Sequence, residues 1–250
     1  MRQEGHLDFT GRRAIVTGGA NGIGAAIAAR LKSSGAAVVV LDLEAALPEL
    51  RTVTVDLADA QAVISAAGDA LNLLGGVDVL VNCAGISKSD RLIELDFTSY
   101  QRILAINLHA PVLLMREICR HMSQTGYGRV VNVTSIHARL SEPGALAYDV
   151  SKAGLEAATR TAAIELATAG VLVNAVAPGF VATRMAVVDG QDELESEWFH
   201  TNYVDNSRLP LQRAASPAEI AETVAWLASE SNSYIAGQVL TVDGGLSARF

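Results

Sequence analysis

Several residue types that mark particular protein classes are scarce in this sequence. Aromatics make up 5% of the 250 residues, which argues against a sandwich built on aromatic cross-strand pairs. Charged residues are 18% against 50% hydrophobic, a balance that excludes a disordered chain and allows a large buried core. Basic charge is in deficit, 19 Lys and Arg against 27 Asp and Glu for a net charge of −8. With no basic stripe to track phosphates, nucleic acid is not expected as a main partner. The two cysteines, Cys83 and Cys119, sit in apolar or helical contexts without metal-ligand spacing. No metal is expected, and both read as reduced thiols. No apolar run reaches the roughly 18 residues of a membrane span, and the polar opening MRQEGHLDFTGRR lacks a signal-peptide core. A soluble, cytoplasmic protein without a membrane partner is expected. No repeat, linker or low-complexity segment divides residues 1–250, so they read as a single domain.

What is abundant is Ala, Val, Gly and Leu. Short valine-rich runs recur: AIVTG (14–18), AVVVLD (37–42), TVTVDL (52–57), VDVLVNCAG (77–85), RVVNVTS (129–135), VLVNAVAPG (171–179) and VLTVDGG (239–245). Stretches of helical period, such as GIGAAIAARLKSSG, separate most of them. Strands alternating with helices predict βαβ units, hence an α/β fold of Rossmann type: a doubly wound parallel sheet with helices on both faces. Between Asp42 and Asp56 there is room for only one or two helical turns. Residues 184–213 break the alternation, mixing acids, aromatics and an apolar base after a strand that ends in Pro178-Gly179. They are expected to form a lid on the side where open α/β sheets bind ligands.

The turn TGGANGIG (17–24) follows the first strand and opens the first helix. Gly18 can turn tightly, Gly22 admits a pyrophosphate, and Gly24 lets helix and strand approach. With Asn21 and Ile23 between them, the turn offers a helix N-terminus to an anion. Asp42 closes the second strand eighteen residues after Gly24. A carboxylate there accepts from both adenosine ribose hydroxyls and repels a 2′-phosphate, so NAD is expected rather than NADP. Asp56, closing the third run, is a candidate partner for the adenine amino group. In YDVSK (148–152) a tyrosine and a lysine four residues apart share a helix face. By themselves they are either a surface pair or a proton-transfer device.

Taken together, these motifs resemble the short-chain dehydrogenase/reductase family over Gly11 to Gly245. The glycine turn has that family's T-G-x-x-x-G-x-G spacing, and NCAG (82–85) is similar to its N-N-A-G element with Cys83 in place of the second Asn. APGFVAT (177–183) and GQVLTVDGG (237–245) match two further elements. Asn107, Ser135, Tyr148 and Lys152 fall on its catalytic tetrad. The resemblance implies that Tyr148 takes the proton of a substrate hydroxyl as hydride leaves for the cofactor. An ammonium one turn away and the positive nicotinamide ring favour the phenolate. Ser135 would hold the same oxygen. Lys152 would also bind the nicotinamide ribose, and Asn107 would hold a water that leads the proton out. Asn82, Ala84, Gly85, Pro178, Gly179 and Thr183 would line the cofactor site, with Cys83 costing some hydrogen bonding on the adenosine side. Helices 99–122 and 150–169, rich in small side chains, would build a dimer, and the C-terminal region a homotetramer.

For the substrate, His137 stands two residues after Ser135, where sugar dehydrogenases of the family carry histidine. It reads either as a contact to a substrate hydroxyl or as a partner for a loop carbonyl. Glu142 offers a second acceptor, and Arg139 or Arg184 could reach a carboxylate. Trp198, Phe199, His200 and Tyr203 would either stack on a sugar face or pack the lid. The expected function is NAD-dependent oxidation of a secondary or anomeric hydroxyl of a sugar, sugar acid or polyol. The alternatives are reduction of a 3-oxoacyl or other ketone, and a nucleotide-sensing regulator without turnover.

Overall fold

Strand β1 (Arg13–Thr17) buries both of its faces, Ala14 and Val16 toward one side and Ile15 toward the other. That is the signature of a strand covered by helices above and below. The computed structural model describes residues 7–188 and 190–248, and within them the chain alternates as the sequence predicts. After β1 come α1 (Gly22–Ser33), β2 (Ala37–Asp42), β3 (Arg51–Thr54), α2 (Ala60–Leu74) and β4 (Val79–Asn82). Then follow α3 (Phe97–Leu104), α4 (Ala110–Thr125), β5 (Gly128–Val133), α5 (Leu146–Leu166) and β6 (Val171–Pro178). A two-residue hairpin, β7 (Val187–Val188) and β8 (Gln191–Asp192), leads to the short α6 (Glu197–Phe199), then α7 (Pro217–Ala228) and β9 (Val239–Val242).

Among the described residues the main sheet has seven strands in the order β3-β2-β1-β4-β5-β6-β9, every pair parallel. The order reverses between β1 and β4, and the crevice beyond their C-terminal ends is where such sheets take ligands. One core packs α1 and α7 on Ala14, Val16, Val40, Val81 and Val131. The other packs α2 and α4 on Ile15, Val39, Leu41, Leu80 and Val130. Each such side chain, once fully buried, contributes about 1.5–3 kcal/mol. Small residues on the helices, Ala66, Ala67 and Ala70 on α2 and Ala221, Ala225 and Ala228 on α7, let them lie close to the sheet.

Between β2 and β3 no helix forms: residues 43–50 run through bends and a turn. The predicted helix over 99–122 is interrupted by a π-helical turn, Ala105–His109, where the Ala110 N–H donates to the Ala105 carbonyl. Such bulges mark functional positions more often than mere packing, and this one carries Asn107. No helix among the described residues is long and apolar enough to cross a membrane.

Gly24 is the tightest point of the β1–α1 connection, for a methyl group on its α-carbon would overlap the Gly18 carbonyl oxygen. Gly24→Ala is therefore expected to cost about 2–3 kcal/mol through overpacking, read as a lowered thermal midpoint. An unchanged midpoint would show that the turn relaxes freely.

Candidate active site

The polar side chains gather at the C-terminal edge of the sheet because that is where the strands hand over to loops. At the β1 end, Gly18 has φ +70° and its α-carbon faces Ala84, where a side chain would sit 2.7 Å from the Ala84 Cα. Thr17 Oγ1 accepts from the backbone N–H groups of Cys83 and Ala84, both at 3.0 Å, locking the glycine turn to the end of β4. Asn21 is the N-cap of α1 but makes no side-chain cap bond. Hence no capping side chain claims the first-turn N–H groups of Gly22, Ile23 and Gly24, a set of donors suited to an anion. Thr183 lies over this turn, 3.3 Å from where a Gly22 side chain would begin. Beside them Pro178 ends β6 and the Gly179 N–H is bonded to Val242 O at 3.0 Å.

Asp42 is fixed by two backbone donors, Ala20 N–H at 3.0 Å and Glu44 N–H at 3.1 Å. Glu44, a residue the sequence did not single out, adds a second carboxylate and accepts from Asn21 Nδ2 at 2.8 Å. It also accepts from Arg184 Nη2 at 3.3 Å. The Arg184 guanidinium is thus drawn to Glu44, beside the Asp42 turn. Asp56 is likewise committed elsewhere than expected. Its carboxylate accepts from Ala58 N–H at 2.9 Å and from Arg102 at 3.2–3.3 Å. The Ala58 bond first, and then Arg102, hold it below the usual carboxylate range. Asn82 is 2% exposed and donates to Asn132, which donates on to Thr159, so it ties β4 to β5 and α5.

On the other side of the crevice, α5 carries Tyr148 and Lys152 one turn apart, as their spacing predicts. Lys152 is 3% exposed, and its ammonium donates to Val133 O, the last carbonyl of β5, at 2.9 Å. Its Nζ lies 5.5 Å from the centre of the Tyr148 ring. Burial pushes the lysine down to about 8, with Cys83 nearby opposing weakly. Burial pushes Tyr148 up to about 12, against the pull of its hydrogen bond with Ser135. Cys83 is held as a thiol, raised to about 12 by burial.

Gly85 faces Lys152 Nζ and Asn107 Oδ1, at 3.4 and 3.5 Å from where its side chain would begin. Asn107 is fully buried, and its amide is spent locally. Oδ1 accepts from Ile86 N–H at 2.9 Å, while Nδ2 donates to Ile86 O at 2.9 Å and Ser151 Oγ at 3.1 Å. A water at this position would have to be held by backbone of the π turn and not by this side chain.

Toward the substrate side, Ser135 Oγ accepts from the His137 N–H at 3.1 Å. His137 bonds no loop carbonyl: Nδ1 is 2.8 Å from Asp149 Oδ1, and Nε2 is 3.7 Å from Glu142 Oε1. Asp149 had no partner readable from sequence, though it directly follows Tyr148. Arg139 pairs with Glu156 at 3.2 Å, so neither arginine proposed for a substrate carboxylate points there. A cavity of about 430 Å³ opens between two loops, lined by Asp90, Leu92, Ile93, Glu142, Leu146 and Asp149. In the 184–213 segment, of which Asp189 lies outside the described residues, Phe199 and Tyr203 pack with Phe180, Leu194 and Leu209. His200 meets the Phe199 ring edge-on but is exposed, and Trp198 is exposed at 63%. Phe199 and Tyr203 belong to the segment's own core, while Trp198 and His200 face outward. The arrangement as a whole offers a hydroxyl-bearing carbon two hydrogen-bonding oxygens, Ser135 and Tyr148, beside a cradle for a phosphate-bearing cofactor.

Comparison with known proteins agrees with this geometry. Residues 18–247 match the protein family described as enoyl-(acyl carrier protein) reductase. The chain is 36% identical to cis-4-hydroxycyclohexanecarboxylate dehydrogenase of Sinomonas cyclohexanicum, over 96% of this chain and 98% of that one. It is 34% identical to the 3-oxoacyl-(acyl-carrier-protein) reductase FabG of Aquifex aeolicus, over 96% and 99%. Among solved structures, a gluconate 5-dehydrogenase from Burkholderia cenocepacia J2315, in complex with NADP and tartrate, superposes with a TM-score of 0.88. That protein is 26% identical, with 98% of each chain covered.

The buried lysine has a consequence for stability. Below pH about 8 the folded chain holds the ammonium against a burial cost that the unfolded chain, titrating at the ordinary 10.5, does not bear. Lys152→Met removes that cost and loses the bond to Val133, so at pH 7 it is expected to stabilise the fold by about 2 kcal/mol. The gain fades as pH rises from about 8 toward 10.5, where both states lose the proton. Denaturant unfolding at pH 7 and pH 10 checks this, and a variant less stable than the parent at pH 7 would contradict it.

Proposed function

The chain belongs to the short-chain dehydrogenase/reductase family, and from that premise we propose that it is an NAD-dependent dehydrogenase of polyhydroxy compounds. In this reading it oxidises a secondary or anomeric hydroxyl of a sugar, sugar acid or polyol. As a member of the family it is an oxidoreductase acting on CH–OH or keto groups with a nicotinamide cofactor. The observation that carries the catalytic reading is the burial of Lys152 one turn behind Tyr148, its Nζ 5.5 Å from the phenol ring centre and bonded to Val133 O at the end of β5. The glycine turn, the uncapped first turn of α1 and the fixed Asp42 fit such a cofactor, which when bound accepts the hydride. Tyr148 takes the hydroxyl proton, Ser135 holds the same oxygen and so aims the carbon, and Lys152 favours the phenolate. The π turn around Asn107 supplies the route by which that proton leaves.

NAD is preferred in this reading because Asp42 and Glu44 together make the ribose end acidic, and Arg184 is neutralised against Glu44. Uncharged polyhydroxy substrates are favoured over sugar acids, since Arg139 and Arg184 both answer to glutamates. The 184–213 segment serves as a lid over this single domain. A homotetramer is proposed from the exposed apolar positions on the two middle helices, Val112 on α4 and Val150 and Ile164 on α5. A monomer in sedimentation at micromolar concentration would contradict it. A second reading, reduction of a 3-oxoacyl ketone, draws on the likeness to the Aquifex reductase.

Absorbance of the reduced nicotinamide separates these readings. NAD is expected to be reduced with at least one aldose, sugar acid or polyol, and faster than NADP. Oxidation of NADPH by 3-oxoacyl ketones, with silence toward every polyhydroxy compound, would favour the reductase. Tyr148→Phe is expected to keep NAD affinity while turnover falls roughly 10²–10⁴-fold; normal turnover would remove Tyr148 from the mechanism.

A further inference from the structure

His137 is restrained on three sides. Its backbone N–H is bonded to Ser135 Oγ. Its ring meets the Tyr148 ring edge-on, with centroids 5.6 Å apart and planes at 73°. Its Nδ1 lies 2.8 Å from Asp149 Oδ1, whose side chain is only 14% exposed. A carboxylate at that distance requires a proton on Nδ1, since an ionised carboxylate can only accept. The hydrogen bond at one ring nitrogen then settles the state of the other: the neutral ring presents a bare lone pair at Nε2. Glu142 Oε1, at 3.7 Å, is too far from Nε2 to form a direct hydrogen bond.

We propose that Asp149 is a positioning residue for substrate recognition, locking His137 as the Nδ1–H tautomer so that Nε2 accepts a hydrogen bond from a substrate hydroxyl. With Glu142 as a second acceptor alongside, the site reads adjacent donor hydroxyls, as in a polyol or uncharged sugar. A ketone or acyl group offers only acceptors here and leaves both Nε2 and Glu142 unpaired. This deepens the polyhydroxy reading and rests on it.

The test uses the full chain with NAD, its imidazoles labelled with ¹⁵N. His137 is assigned among the five histidines by the signal missing in His137→Gln. The neutral wild-type ring is expected to carry its proton on Nδ1. Asp149→Asn, whose Oδ1 still accepts, should keep that tautomer, and Asp149→Ala should lose it, with NAD affinity retained in both. An Nε2–H ring in the wild type, or an unchanged spectrum in Asp149→Ala, overturns the proposal.

Kinetics with D-sorbitol, D-glucose and D-gluconate supply the second arm. For the probe turned over fastest, Asp149→Ala should raise KM about tenfold with a smaller change in kcat, and Asp149→Asn should restore it, one hydrogen bond being at stake. In a His137→Ala background, Asp149→Ala should add nothing. Additive losses overturn the positioning role while leaving His137 as a contact. A His137→Ala variant with unchanged kinetics overturns the contact and the positioning role together. If no probe is turned over, the polyhydroxy reading fails and substrate selection by Asp149 fails with it, and the spectra then decide only whether Asp149 holds the ring.

Discussion

The bond from the Lys152 ammonium to the carbonyl of Val133 is the constraint around which the site is arranged. An ammonium that is 3% exposed is costly, and it is tolerated because it finds an acceptor where β5 stops pairing with its neighbours. That single contact sets the first turns of α5 against the C-terminal edge of the sheet. Tyr148 is thereby carried over the Ser135 hydroxyl, and Asp149 toward His137. Gly85 lies against both Lys152 and Asn107, within van der Waals reach of each. The groups of the proposed reaction are thus held by backbone carbonyls and helix register, which are rigid, and not by loop conformation.

Around that centre, nearly every charged group is answered within the chain. Arg184 meets Glu44, Arg102 meets Asp56, and Arg139 and Arg160 meet Glu156. Arg184–Glu44 and Arg102–Asp56 are exposed on both sides and contribute little to stability, roughly 0–1 kcal/mol each, whereas the Glu156 carboxylate is buried. The weight of these pairs lies in what they withdraw: these arginines are drawn to carboxylates of the chain itself. The acids left over, Asp42 at one end and Asp149 with Glu142 at the other, are acceptors suited to hydroxyl groups. Both ends of the crevice favour hydroxyl donors for the same electrostatic reason.

The sheet was legible in the sequence because parallel strands buried on both faces show as valine runs ending in Gly, Asp or Asn. The glycine turn and the Tyr148–Lys152 pair were legible because their spacings are local. What stayed hidden depends on partners far apart in the chain. Glu44 and Arg184 are 140 residues apart, and nothing in either neighbourhood predicts their meeting. His137 and Asp149 are twelve apart, brought together only because the loop after β5 folds back over α5. The tie from Asn82 to Asn132 was hidden for the same reason, since the two residues are 50 apart and meet only through the pairing of β4 with β5. The π turn at Ala105–His109 leaves no trace in residue type, since any helical sequence can accommodate one extra residue when packing repays it.

The directions of the two shifts in the site are opposite, but their cause is one. Burial favours the neutral form of both groups, raising the phenol of Tyr148 and lowering the ammonium of Lys152. Near neutral pH the buried ammonium of Lys152 is thus present beside a neutral phenol. A cationic ring entering the crevice would add to that positive charge and favour the phenolate by Coulomb attraction, and a phenolate in turn holds the ammonium. In the proposed reaction the oxidised cofactor would in this way help Tyr148 to take the proton.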